Sequence, residues 1–501
     1  FHCPPVFLWG MVEYSPHPPM RNLLTFIFAL TLTCVTQAQS VIHVDPQRGV
    51  DHASVPGTQN EPVRTIGYAL SMQQTGQSVR IRLERGQYRE ETWPLAIGLE
   101  EVTIEAVDAG SVVVNGRRNS SALTNFSVQA NSKGLTLRGF TLRSAPTTIE
   151  MSGSATTTQY TRIKMEEMVL LVADCAIAAD VSGLTQLEID IRLSNLHALQ
   201  TALELTARED AHLKVNIQRS YLYGGSDNGI QMLAEGVNAS IETNFENCVF
   251  RDFDRHAIQF EGQGGQCNLY VVHSNFLDCG ASAIRVTAPP NSWSTYSVIR
   301  RNLFWGNAAD FHDWVGMTHL VTWESNLVQD SGLAAIGGNL HGDPMFVDDS
   351  WVMRNDSPAR NAVTPAYPFD DFHGNARGQN GALHDLGAIQ HDTLTAGLES
   401  QVFLSHGLTL TASGPPQMAF QLRVGDQIQS QPFPIIPGGA AHTSAINVAM
   451  DGSGAWRGHY QLPSKPNLAG KVFFVQALGR DAQHVFHASP IIQSKVSIPP
   501  S

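Results

Sequence analysis

One short pattern returns eight times between Gly139 and Ile336, and it constrains this chain more than any other feature. A polar or small residue stands at Gly139, Glu167, Asn195, Ser220, Cys248, Asn275, Asn302 and Asn326, at steps of 28, 28, 25, 28, 27, 27 and 24 residues. A large apolar residue keeps step with it at Ile149, Ile177, Leu205, Ile230, Ile258, Ile284, Phe311 and Ile336. Self-similarity at such a period marks a solenoid of stacked units.

Inside each unit the apolar clusters are short, rich in Ile, Val, Leu and Phe, and separated by Gly, Asn, Asp and Ser. The run from Asn275 to Ile284 reads as strand, tight turn and strand. Paired-helix repeats need two runs of about ten residues with helical periodicity, for which no unit has room. The fixed leucine framework of leucine-rich repeats is absent. The solution that remains stacks each coil on the last, with parallel strands about 4.8 Å apart. Asn275, Asn302 and Asn326 are expected to stack at a bend, because Asn tolerates left-handed backbone and its amide can bond from coil to coil.

The 501 residues suffice for one large solenoid and an accessory domain. A net charge of −13 argues against a nucleic-acid partner. Residues 1–19 are Pro-rich without periodicity and read as an upstream or fragment segment. Residues 20–38 read as a secretory signal: Met20, Arg21 and Asn22 form the charged start, Leu23 to Leu32 the apolar core, and Ala38 closes a cleavage site. The apolar core is too short for a transmembrane span. The expected location is therefore extracellular or at the cell surface. Four cysteines follow, Cys175, Cys248, Cys267 and Cys279, of which Cys267 and Cys279 are the first pair to test for a disulfide.

Val44-Asp45-Pro46, Gly57-Thr58, Pro62 to Ile66, Ala69-Leu70, Gly76, Val79 to Leu83 and Gly86 to Glu90 stand in an order that resembles the cap and first coil of secreted right-handed parallel β-helix proteins. These are the pectate-lyase-like superfamily, with a DUF1565-type start; Gln77 departs from the pattern, where Asp usually follows the Gly. Independently of the resemblance, Thr65 to Gln73 suits a short amphipathic helix plugging the end of the solenoid, and Val79 to Leu83 alternates as a strand. Gly342 to Asp348, Ser357 to Ala359, Asp371, Gly374, Arg377 and Asp385 to Ile389 look like the closing segment of the same families, where the chain leaves the last coil and folds back over it. The resemblance implies a right-handed parallel β-helix over residues 39–390. Residues 391–400 read as a linker. Residues 401–501 alternate in short runs and suit a small β-sandwich.

The chemistry is less constrained. Gln231, Gln259, Arg285 and His312 fall in one column just past the second apolar position, with Glu261 and Asp313 close by. Asp252, Asp254 and Asp278 lie in the turn before it, and His256 adjoins them. Stacked carboxylates are candidate Ca²⁺ ligands. Arg285 or His312 is the candidate base for abstracting a proton beside a uronate carboxylate, with Asp254 and His256 as further catalytic candidates. Two carboxylates would instead serve glycoside hydrolysis. The competing reading is that Asp fills these turns to cap backbone groups. Trp293, Trp305, Trp314, Trp323 and Tyr296 crowd one stretch, and Trp305 and Trp314 are the candidates for stacking on sugar. The expected partner is an extracellular polysaccharide, bound or cleaved by a lyase or hydrolase; the alternative is a non-catalytic surface or adhesion protein.

Overall fold

The computed structural model describes residues 39–389 apart from 99, 117–123, 145, 173, 288–296, 313–320, 347–352, 355, 364–369, 373–376 and 378–383, together with the backbone of the strands between 395 and 497. From Ser40 to His341 the chain is a parallel β-solenoid with three strands in a typical coil. The first face includes Val79–Leu83, His212–Gln218, Ser240–Glu246 and Gln266–Val272. The second includes Tyr221–Tyr223, Val249–Arg251, Asn275–Leu277 and Leu303–Trp305. The third includes Thr201–Arg208, Ile230–Glu235, Ile258–Gln263, Ser282–Val286 and Ala309–His312. Each strand pairs in parallel with its counterparts one coil away, for example Ile230 with Ile258 and Ile258 with Ile284.

Alternation places one set of side chains inside, where like residues stack along the axis. Ile149, Ile177, Leu203, Ile230, Ile258, Ile284 and Phe311 form one interior column. The expected burial of Ile230, Ile258 and Ile284 therefore holds, whereas Leu205 lies two residues further along the strand, opposite Met232. Ile336 is 38% exposed, just past the short helix Ser331–Ala334, because the last coil gives up its third strand there. Phe250, Phe276 and Phe304 stack with centroids 4.9 Å apart, a parallel aromatic pile enforced by the coil spacing.

The bend between the first and second faces corrects the expected asparagine column by one residue. Glu167, Leu193, Arg219, Asn247, His273, Arg301 and Ser325 all have left-handed backbone, as does Gly139. The residue after each is the ladder residue. Ser220 Oγ accepts from Ser194 N, Ser274 Oγ from Cys248 N, Asn302 Oδ1 from Ser274 N, and Asn326 Oδ1 from Asn302 N. Asn302 and Asn326 thus stack as expected. Asn275 does not: Ser274 holds its place, and Asn275 Oδ1 instead accepts from Ala388 N at 2.8 Å. Asn195 is displaced in the same sense, beside Ser194.

The short helix expected between Thr65 and Gln73 is present. The helix Ile66–Ser71 starts at Thr65, whose Oγ1 accepts from Tyr68 N, and it buries Ile66 and Ala69. Glu91 accepts from Ile66 N and Gly67 N, and burial pushes its carboxyl up to about 7. All four described cysteines are free and buried, so Cys267 and Cys279 are not paired. Burial pushes the Cys248 and Cys279 thiols up to about 12. No helix among the described residues is long and apolar enough to cross a membrane.

After the last coil, described stretches between Met345 and Ile389 return over the second face. Outward-pointing Val249, Leu277, Leu303 and Leu327 pack there against Met353, Ala359, Val363, Leu386, Ala388 and Ile389. Arg377, 1% exposed, clamps this cover: it donates to Asn247 Oδ1 at 2.7 Å and to the carbonyls of Asp370, Gly387 and Ala388 at 2.8–3.0 Å. Beyond it, Thr395–Leu398, Leu408–Ser413 and Ala455–Tyr460 pair antiparallel, and a second sheet joins Ala419–Gly425, Ser444–Ala449, Val472–Arg480 and Ile492–Ser497.

Candidate functional site

The third face carries the candidate column. Backbone pairing sets Gln231 beside Gln259, Gln259 beside Arg285, and Arg285 beside His312, all pointing away from the Ile column. The column changes character along the axis. Gln259 is 3% exposed and bonds Glu261, Arg285 is half-buried, and His312 is exposed.

His256 lies beneath this column, 5% exposed, on the bend that leads into the strand Ile258–Gln263. Arg285 Nη1 is 3.2 Å from its Nε2, and Ser282 Oγ is 2.7 Å from its Nδ1. Ser282 N also lies 3.2 Å from Nδ1; a guanidinium and a backbone N–H only donate, and a neutral ring has one lone pair, so it accepts from one of the two alone. Burial, then Arg285, Arg255 and His312, lowers the imidazole to about 4. The ring is therefore neutral at ordinary pH, and both of its nitrogens face donors of the protein, Arg285 Nη1 and Ser282 N. His256 holds the arginine and is not placed to take a proton from a ligand.

The aspartates answer to the backbone. Asp252 and Asp278 have φ of 58° and 55° and occupy the left-handed position of the second bend, where neighbouring coils use Gly224 and Gly306. Asp tolerates this backbone better than most residues. Their carboxylates both face Arg251 Nε, at 3.0 and 3.5 Å. A guanidinium thus stands where the expected Ca²⁺ would bind. Asp254 is exposed in the same bend, and among the described residues no three His, Cys, Asp or Glu side chains gather to hold a metal. The residues do not fit the ion.

The aromatic candidates separate from the column. Trp305 is on the second face, in register with Leu277, half-buried against the returning cover. Trp323 is 3% exposed and meets Phe311 edge-on at 5.2 Å, so it is core. Trp293, Tyr296, Asp313 and Trp314 lie outside the described residues. The structure thus brings Gln231, Gln259, Arg285, His312 and His256 together and sets Trp305 on another face. Sequence reasoning missed Ser282, whose Oγ and N both meet His256 Nδ1; its signal was its place two residues before the buried Ile284.

No family model matches the chain, and no curated protein matches it. Among solved structures, the chain is similar to a rhamnogalacturonan lyase, with a TM-score of 0.34 and 12% identity over 70% of this chain and 95% of that one. It is also similar to a full-length tailspike protein from a bacteriophage of Escherichia coli O157:H7, with a TM-score of 0.29 and 11% identity over 89% of this chain and 68% of that one.

Proposed function

We propose that this chain is an exported, right-handed parallel β-solenoid that binds an acidic extracellular polysaccharide along its third face. The observation that carries this reading is the register of Gln231, Gln259, Arg285 and His312 on successive coils, with Arg285 making no ion pair among the described residues. A guanidinium fixed by neutral His256 presents its fork to a uronate carboxylate, where paired charge-assisted bonds are strong and directional. The Gln amides both donate and accept, which suits the hydroxyls of preceding sugars. The net charge of −13 repels such a polymer at long range, so the grip is local and weakens as salt rises.

A second reading, cleavage by β-elimination, draws support from the exposure of His312 one coil beyond Arg285. Arg285 neutralises the carboxylate, which acidifies the adjacent C–H; His312 takes that proton as the C–O bond to the leaving sugar breaks, and water protonates the leaving oxygen. Arg285 keeps its proton throughout, since a guanidinium does not act as a base near neutral pH.

The test is a panel of acidic and neutral polysaccharides assayed for binding and for unsaturated products, with and without chelator. Arg285→Ala is expected to abolish acidic-glycan binding. His312→Ala is expected to retain binding and to lose any turnover. Binding without turnover in the parent chain would leave a non-catalytic adhesin. Unchanged binding in Arg285→Ala would remove the site, and loss of activity on chelation would restore the metal. The strands beyond residue 400 are proposed to form a separate β-sandwich, which limited proteolysis within 391–400 would release as a folded fragment of about a hundred residues.

A further inference from the structure

We propose that the first face carries a second, independent carbohydrate site, built for a neutral oligosaccharide. Three outward rows lie in register over four coils: Gln186, His212, Ser240, Gln266; then Glu188, Lys214, Glu242, Asn268; then Asp190, Asn216, Asn244, Tyr270. Two hollows of about 680 and 440 Å³ open on this grid and share Asn268. Together they make a trough along the solenoid axis, on a different face from the Arg285 column.

The chemistry of the trough selects its ligand. Its cations are already paired: Lys214 faces Glu242 at 3.9 Å and Arg162 bonds Asp190 at 2.7 Å, while Asp210 accepts from the neutral amide of Asn238 at 2.7 Å. Among the described residues of the trough, no unpaired lysine or arginine is left for an acidic sugar. What remains is amide. Among the described residues Asn268, at the junction of the hollows, makes no side-chain hydrogen bond; its Oδ1 and that of Asn244 are buried, while the amides of Gln186 and Gln266 stand exposed at the larger hollow. Amides offer a donor and an acceptor side by side, the complement of vicinal hydroxyls. Leu184 and Val237, 40% and 80% exposed, line the larger hollow and supply the apolar contact that the C–H face of a sugar needs. A stack of Asn kept only for stability would bond from coil to coil, as Asn302 and Asn326 do. Here Asn244 turns to Glu246 in its own strand instead. Coils repeat at about 4.8 Å, close to the length of one pyranose, so successive coils address successive sugars.

The experiment is calorimetric titration of the full chain with cellotetraose, xylotetraose, mannotetraose and maltotetraose. The parent chain is expected to bind at least one of the four. Asn268→Ala should weaken that binding about tenfold, the loss of one or two hydrogen bonds, and the bulkier Asn268→Trp should block it. Arg285→Ala should leave it unchanged, which separates this site from the third face. A parent chain that binds none of the four overturns the proposal, as does binding that survives Asn268→Trp in a chain whose melting temperature is unaltered. Binding lost in Arg285→Ala would assign the sugar to the third face and overturn it equally.

Discussion

The second and third faces are built from the same coils, with the same strand spacing, yet one is covered and the other open. The difference lies in the residues that alternation turns outward. On the second face Val249, Leu277, Leu303 and Leu327 point out, and the chain has had to return to remove them from water. On the third face the outward column is Gln231, Gln259, Arg285 and His312, which water or a ligand can satisfy. A solenoid thus specifies its function by its outward residues, while the inward ones only keep the coils in register.

The comparison makes the clamp the most sensitive point. Arg377→Ala leaves Asn247 and four carbonyls without their donor inside the second-face seam and should cost about 3–5 kcal/mol. Chemical denaturation would show it as a lower midpoint, and proteolysis as earlier cutting within the cover. A loss below about 1 kcal/mol would mean that the cover is not integral to the fold. Leu303→Ala comes next, at about 2–4 kcal/mol, because the cavity lies between two layers and the cover can partly collapse onto it.

The contrast between the faces was only half legible in the sequence. The repeat and the Ile column declare themselves, since a period of about 27 and interior stacking leave few alternatives. The return of the chain near Asp385 to Ile389 was also visible, through its resemblance to closing segments. The bend was misread by one residue, because Asn275 is followed by the same apolar signature as Asn302 while Ser274 fills the ladder. A single slip changes which face a side chain joins. Trp305 was misassigned for a related reason: its outward direction was inferred, but sequence does not say that another segment lies over it. The Asp cluster showed no sign of its left-handed backbone, which any of several residue types adopts at this bend.

A third measurement separates stability from binding. Arg285→Ala removes a half-buried side chain whose described hydrogen bond is to a neutral imidazole, so it should change stability by less than about 1 kcal/mol. On the covered face a comparable arginine deletion is severe. If Arg285→Ala destabilised as much as Arg377→Ala, the third-face column would be structural and the proposed ligand contact would lose its basis.

The smallest expected effect is in pH. His256 ionises at about 4 in the fold, below the value near 6.5 of an unfolded chain, so between these limits the unfolded chain binds more protons. Stability from this group is fully present above about 6.5, falls as the pH drops toward 4, and levels off below. His273, wholly buried in the second-face seam near Arg377, Arg301 and His384, is also held well below its ordinary value by burial, so it too loses stability as the pH falls. Glu91 acts in the opposite sense: its carboxyl is raised to about 7, so its contribution is present below the unfolded value near 4.3 and lost as the pH climbs to 7. The observed slope is thus a difference, and one curve on the parent chain cannot apportion it. Melting temperatures of the parent and His256→Gln, taken from pH 7.5 to 3.5, isolate the third-face share. The variant should lose less than the parent between pH 6.5 and 4, because the covered face's share is common to both chains. Parallel curves throughout would show that His256 is not held neutral by its burial and by Arg285, and the open face would then lack the fixed guanidinium on which its proposed recognition depends.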